Sequence, residues 1–281
     1  MSMPSICREQ VAGMNIHWMR YSLDAFLEQQ ERLGFRSIEL WCAMPHVWLD
    51  HLTCPDAHAL RKKIASRNLT VHTLTPENCT SPYQFAVREP AAIDRSYRYF
   101  SNGIRLAAEL GCQYMEVNSG WGYWDEGREE AWKRSRDMLR RLAEFAESEG
   151  IVLTMESLRP EETKLVVTLE DAKRMIAEVD HPCLTPMVDT CAMSVSGETL
   201  DQWFEAFGST IHEMHFVDGC PYGHLVWGDG KHHLGRWIQT LNRYHFEGYL
   251  GQEITDPRYY DRPDVADARN MRNFELYMKE T

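Results

Sequence analysis

Short apolar stretches of strand length alternate along this chain with longer segments whose apolar residues recur at helical spacing. That is the pattern of βαβ units wound around a parallel sheet. The first strand is predicted over 13–17. A helix follows over 22–33, with the Ser22 hydroxyl suited to its N-cap and Gly34 supplying the stop. Further strands are predicted over 36–41, 69–74, 113–117, 151–156, 184–189, 211–216 and 249–254. The helices between them cover 55–68, 89–110, 132–149, 168–179, 198–207 and 233–244, and a closing helix runs over 264–279. Eight alternations without a Gly/Ser linker, charge run or shift in composition predict one domain over residues 1–281, a single (β/α)8 TIM barrel of the α/β class. The length agrees, since 281 residues leave about 35 for each of eight units.

Composition narrows the partners. Hydrophobic residues at 43% with charged residues at 26% are enough to build a packed core, which excludes intrinsic disorder. The 30 Lys and Arg stand against 42 Asp and Glu, a net charge of −12, so the chain lacks the basic field that draws proteins to phosphate backbones, and nucleic acid is not expected as a partner. No apolar run reaches 18 residues and none of signal-peptide character lies between Met1 and Val11, so a cytoplasmic protein with no membrane partner is expected. The eight cysteines, at 7, 42, 54, 79, 112, 183, 191 and 220, form no C-x-x-C pair and are read as reduced thiols.

In a barrel of this kind the reactive groups stand at the carboxyl ends of the strands. The last four predicted strands each carry one metal-type ligand there: Glu156, Asp189, His215 and Glu253. Their separations of 33, 26 and 38 residues are each about one βα unit, which puts the four on adjacent strands at one end. Alternation along the fifth strand sets Val152, Thr154 and Glu156 on one face and Leu153 and Met155 on the other. Three carboxylates and an imidazole converging in a filled barrel need a counter-charge. A mostly oxygen set with one nitrogen suits a single divalent ion such as Mn²⁺, with Mg²⁺, Co²⁺ or Ni²⁺ as alternatives, and no cysteine belongs to the set.

At these residues the chain resembles the xylose isomerase-like barrel superfamily of sugar isomerases and epimerases, and within it the fructoselysine 3-epimerase and ketose 3-epimerase group. The likeness runs through Ile38-Glu39-Leu40-Trp41, Pro45-His46, Thr75-Pro76-Glu77, Pro82-Tyr83, Glu156 with Glu162 six residues later, Val188-Asp189, His215-Phe216-Val217-Asp218, Gly228-Asp229-Gly230-Lys231 and Glu253. It implies a metal-dependent epimerase that takes a proton from C3 of a ketose and returns one, through an enediolate. Glu156 and Glu253 would then be both ligands and acid/base groups, with Asp189 and His215 completing the shell and Glu162 orienting the sugar. Epimerases of simple ketohexoses carry a histidine and an arginine about where this chain has Ala192 and Pro221. That departure points to a substituted, amine-linked ketose. Ser157, Thr168 and Trp227 are further departures from the group's usual residues.

Substrate contacts are expected from Glu162, Trp41, His46, Tyr83, Trp121, His224 and Trp227, since aromatic rings near the mouth can stack on the apolar face of a sugar. Glu39, Glu116 and Glu213 are expected as halves of structural ion pairs, His212 as structural, Cys191 as a buried filler and Gly228-Asp229-Gly230 as a turn. A homo-oligomer is expected. The same barrel and ligands also serve aldose-ketose isomerases, inosose dehydratase-like lyases and C-glycoside-cleaving enzymes, which are the alternative reading. DNA-repair endonucleases of the same superfold fit poorly with the acidic charge, and a sugar-binding barrel without catalysis would need no metal.

Overall fold

The computed structural model describes residues 6–79 and 82–280. The strand segments are β1 (Val11–Met14), β2 (Ser37–Cys42), β3 (Thr70–Pro76), β4 (Tyr114–Val117), β5 (Val152–Met155), β6 (Leu184–Pro186), β7 (Val188–Asp189), β8 (Glu213–His215) and β9 (Tyr249–Gln252). The helices are α1 (Leu23–Leu33), α2 (Cys54–Ala65), α3 (Pro90–Leu110), α4 (Arg128–Glu149), α5 (Leu169–Val179), α6 (Thr190–Val195), α7 (Leu200–Phe207), α8 (Leu234–Arg243) and α9 (Pro263–Glu280). All the ladders are parallel, in the order β6-β5-β4-β3-β2-β1-β9-β8-β7.

β6 and β7 are two halves of one barrel strand. Only Met187 separates them; its amide donates to the Met155 carbonyl of β5 at 3.0 Å, and Val188 next to it pairs with Met214 of β8. Pro186 has no N–H with which to continue a ladder, so the strand expected over 184–189 breaks beside it. The sheet therefore closes with eight strand positions, as the alternation predicts. Every residue of β2 is buried, as in a parallel sheet covered on both faces.

The helix ends follow their local chemistry. The Ser22 hydroxyl accepts from the Ala25 amide at 3.2 Å, and Gly34 ends α1 at φ 76°, a backbone that side chains rarely tolerate. Thr168 and Asp171 form a capping box on α5. α4 starts one turn before the expected Trp132, because Glu129 and Glu130 suit the positive end of a helix and carry no apolar signal. β1 ends at Met14 rather than residue 17, since Ile16–Trp18 turns inward in a single 3₁₀ turn. There His17 Nε2 meets Asp267 Oδ1 of α9 at 2.7 Å, while Trp18 Nε1 and Gln30 Nε2 donate to Asp267 Oδ2 at 3.1 and 2.7 Å. This buried network fastens the closing helix to the first barrel unit.

At the amino ends of the strands, His72 stacks on Tyr249 with ring centroids 3.5 Å apart, and Tyr114 stacks on His212 at 5.0 Å. His72 Nε2 lies 4.0 Å from Glu213 Oε2, yet the pair stays uncharged. Burial, with His212 adding, holds His72 down to about 3. Burial and the Glu39 carboxylate push Glu213 up to about 8, and the Thr73 and Thr154 hydroxyls donate to it. Glu213 is thus held by hydroxyls and not by the cation expected, because a barrel interior lined with threonine offers donors without desolvating a charge.

A pH dependence follows for His72. Its folded value lies below that of the unfolded chain, near 6.5, so the unfolded chain binds the proton first and stability is lost as pH falls from about 6.5 towards about 3. His72→Phe, which keeps the stack, should lessen the loss between pH 6.5 and 5 by about 2 kcal/mol. Urea melts of both proteins at the two pH values measure this, and identical pH slopes would remove His72 as a source.

Candidate active site

Glu156 follows β5, Asp189 ends β7, His215 ends β8 and Glu253 follows β9, so the barrel brings all four to its carboxyl end. Register fixes their approach: Asp189 pairs with His215, and His215 with Gly251. His215 Nδ1 lies 2.6 Å from Glu156 Oε1 and 3.1 Å from Glu253 Oε2. On its other side His215 Nε2 reaches Glu39 Oε1 at 2.9 Å, and Glu39 Oε1 also accepts the Thr75 hydroxyl at 2.6 Å. Of the three glutamates expected in ion pairs, Glu39 alone has a strong basic partner, and that partner is His215. Gly251 makes room for the pair, since a Cβ there would stand 2.2 Å from Glu39 Oε2.

Asp189 is joined to the group through His224, whose Nε2 lies 3.1 Å from Asp189 Oδ2 and 3.1 Å from Glu253 Oε2. Asp189 also caps α6, accepting the Cys191 and Ala192 amides at 2.8 and 3.1 Å. Among the described residues two trios of donors lie close enough to hold an ion: Glu156, His215 and Glu253, and Asp189, Cys191 and His224. Glu253 links the two.

The electrostatics shows how strongly the group calls for positive charge. Burial works against charging His215 and His224, but the carboxylates around them prevail and hold both imidazoles well above their ordinary value. Burial, opposed by His215, pushes Glu156 up to about 7. For Glu253 burial pushes upward too, yet the imidazoles on either side outweigh it and hold the acid well below the usual range. Two similar carboxyls are thus pushed apart.

The cleft at this end encloses about 200 Å³, space for one sugar ring. Its walls include Trp41, Glu77, Glu116, Glu156, Arg159, Glu162, His215, His224 and Glu253. Of the expected substrate contacts, Trp41, Glu162 and His224 line it. Trp41 Nε1 donates to Glu77 Oε2 at 3.1 Å, and Glu162 accepts Arg159 Nε at 2.9 Å. His224 is more than a wall, because it bridges two of the four expected ligands.

The other four do not line this cleft. Tyr83 is buried, stacked on Tyr99 at 4.1 Å with its hydroxyl on Asp50. Trp227 is buried against Phe216 and Trp237, its Nε1 donating to the Phe216 carbonyl at 3.0 Å. His46 is occupied by Asn15 Nδ2 at 2.8 Å and the Tyr21 carbonyl at 2.9 Å, and Trp121 packs edge-on against Tyr123. Each sits in a loop near the mouth, but its ring is engaged by other side chains or backbone carbonyls and does not line the cleft. A larger cavity of about 420 Å³ opens at the opposite face, among His72, Tyr114, His212 and Tyr249, and none of the four expected ligands lines it.

The chain is 27% identical to the fructoselysine 3-epimerase of Shigella flexneri over 258 residues, covering 91% of this chain and 93% of that relative. In three dimensions it superposes on a D-tagatose 3-epimerase-like protein with a TM-score of 0.80 at 17% identity, over 96% of this chain and 97% of the other. It also superposes on the apo 3-keto-D-glucoside 4-epimerase of E. coli with a TM-score of 0.76 at 18% identity, over 93% and 99%. Residues 27–274 match the profile of a whole family, and by that match the chain belongs to the xylose isomerase-like TIM barrel family.

Proposed function

We propose that this protein is a divalent-metal-dependent sugar 3-epimerase acting on a ketose, with an amine-linked ketose as its preferred substrate. The observation that carries the reading is the convergence of Glu156, Asp189, His215 and Glu253 from successive strand ends, with Glu156 and Glu253 both within 3.1 Å of the same His215 nitrogen. The donor set fits a hard divalent ion such as Mn²⁺: three carboxylates and an imidazole, two histidines drawing protons among those carboxylates, and a carboxylate behind His215 to fix its orientation. When bound, the ion supplies Lewis-acid stabilisation of the negative charge that develops on the ketose oxygens.

The residues divide the rest of the work. One of Glu156 and Glu253 removes the C3 proton, and the other delivers a proton to the opposite face of the resulting enediolate, the roles exchanging in the reverse direction. Glu39 holds the His215 ring and, with Thr75, keeps Nδ1 towards the two acids. Arg159 and Glu162, paired at the rim, offer a donor and an acceptor to sugar hydroxyls, and the Trp41 ring offers a stacking face. The fructoselysine 3-epimerase relative supports C3 chemistry on a ketose bearing an amine.

Specificity rests on two side chains that the chain lacks. Ala192 is a buried residue of α6, and Pro221 lies on the exposed loop after β8, so neither offers the polar contacts of simple ketohexose epimerases. Free fructose, tagatose and psicose should therefore be poorer substrates than an amine-linked ketose, by about tenfold for each missing hydrogen bond. Incubating the Mn²⁺-loaded protein with a panel of ketoses and fructosamines in D₂O, and following deuterium at C3 by NMR, tests the reading. Deuterium at C1 with aldose formation would make the protein an isomerase, and equal kcat/KM on free and amine-linked ketoses would end the specificity argument.

A further inference from the structure

Glu116, on β4, is a wall of the cleft that the epimerase mechanism leaves idle. Its residue is only 2% exposed. Asn78 Nδ2 donates to Oε2 at 3.1 Å, and Asn78 Oδ1 accepts in turn from Asn118 Nδ2, while Asn118 Oδ1 accepts the Gly120 amide at 2.8 Å. The chain of amides thus fixes the carboxyl from one side only. Oε1 is buried and has no hydrogen-bond partner.

A buried carboxyl with a free oxygen needs a donor, and at full charge it needs a cation. Among the described residues Oε1 finds neither. Among the described residues Glu116 has no ion pair with any Lys, Arg or His, and the Arg159 guanidinium in the same cleft is taken up by Glu162 at 2.9 Å. Burial, with the Glu156 carboxylate adding and the His215 imidazole opposing without prevailing, pushes Glu116 well above the usual carboxylate range. Glu116 also belongs to neither trio of donors close enough to share an ion, which argues against a second metal. Charge accounting points to the ligand. Glu156, Asp189, Glu253 and a charged Glu116 make four negative charges against the three of a divalent ion and the His224 imidazolium, so the loaded cleft favours a cationic occupant.

We propose that Glu116 is the counter-ion for the ammonium nitrogen of an amine-linked ketose, the group by which the protein tells such a substrate from a free sugar. This rests on the reading of the protein as a ketose epimerase. A neutral hydroxyl could satisfy Oε1 as a donor, but it would leave the charge unbalanced.

The test compares 1-deoxy-1-(methylamino)-fructose with 1-O-methyl-fructose, alike in size and differing in charge, on the Mn²⁺-loaded protein and on Glu116→Gln. Removing one partner of a buried charge pair should lower the preference for the amine, read as the ratio of the two kcat/KM values, by about 30-fold or more. Each variant is its own control for folding, because both ketoses are read on the same protein. Calorimetry with N-methylglucamine against glucitol, which have no carbonyl to epimerise, should show the same loss of preference in Kd. A Glu116→Gln protein that keeps the wild-type preference overturns the proposal, as does one that loses both ligands by the same factor. If the wild type turns over neither ketose, it is the epimerase reading that fails, and the calorimetric ratio alone decides the role of Glu116.

Discussion

Glu156→Gln and Glu253→Gln are each expected to lower turnover by about 10² to 10⁴ while leaving the protein folded and still able to bind metal, though less tightly. The amide keeps an oxygen that can ligate but has no basic site to accept the C3 proton. The structure gives the two carboxyls different surroundings: Glu253 sits between His215 and His224, while Glu156 meets His215 alone and is pushed up to about 7. Groups held apart in this way suit opposite halves of a proton transfer. Each variant should therefore still exchange the C3 proton of one epimer with D₂O through the glutamate that remains, without completing the inversion. Wash-in of deuterium is to be measured from each epimer separately. A variant that interconverts the epimers at the wild-type rate would show that its glutamate is only a ligand, and the two-base mechanism would have to be given up.

The parts of this site that could be read from the sequence are those set by backbone position. Strand ends recur about once per βα unit, so Glu156, Asp189, His215 and Glu253 could be placed at one end of one barrel before any coordinate was known, and parallel pairing does bring them there. Ser22, Thr168 and Gly34 marked helix ends because capping is local chemistry. What could not be read is where a loop side chain points. Tyr83, Trp121, His46 and Trp227 stand near the mouth in sequence, but contacts with Tyr99, Tyr123, Asn15 and Phe216, of which only Tyr123 is a near neighbour in the chain, draw their rings into packing. The same limit hid α6: its N-cap is Asp189, a residue already given a role at the strand end, and nothing in a six-residue stretch from Thr190 signals a helix over a loop. Glu116 was misread for a different reason. An acid in a strand predicts a partner, and only the packed interior shows that, among the described residues, no Lys, Arg or His forms an ion pair with it.

Asp189→Ala and His215→Ala should both abolish tight metal binding and leave the far-ultraviolet circular dichroism of a folded barrel, because extensive apolar packing, and not one ion, holds a chain of this size together. The two losses should differ in stability. Asp189 also caps α6, so its removal should cost about 1 kcal/mol more from the lost cap. His215→Ala removes the basic partner of Glu39, leaving it the Thr75 hydroxyl, and removes the imidazole beside Glu156, and the acids left behind should take up protons in its place. Glu39→Gln separates orientation from ligation: it leaves all four donors in position but turns the carboxylate behind the ring into an amide, which should weaken metal binding by about 10- to 100-fold without abolishing it. Metal content after gel filtration, with titration of Mn²⁺ into the stripped proteins, orders the three variants. Full occupancy in Asp189→Ala or His215→Ala would take that residue out of the shell, and a Glu39→Gln protein as weak as His215→Ala would mean that Glu39 is itself a ligand.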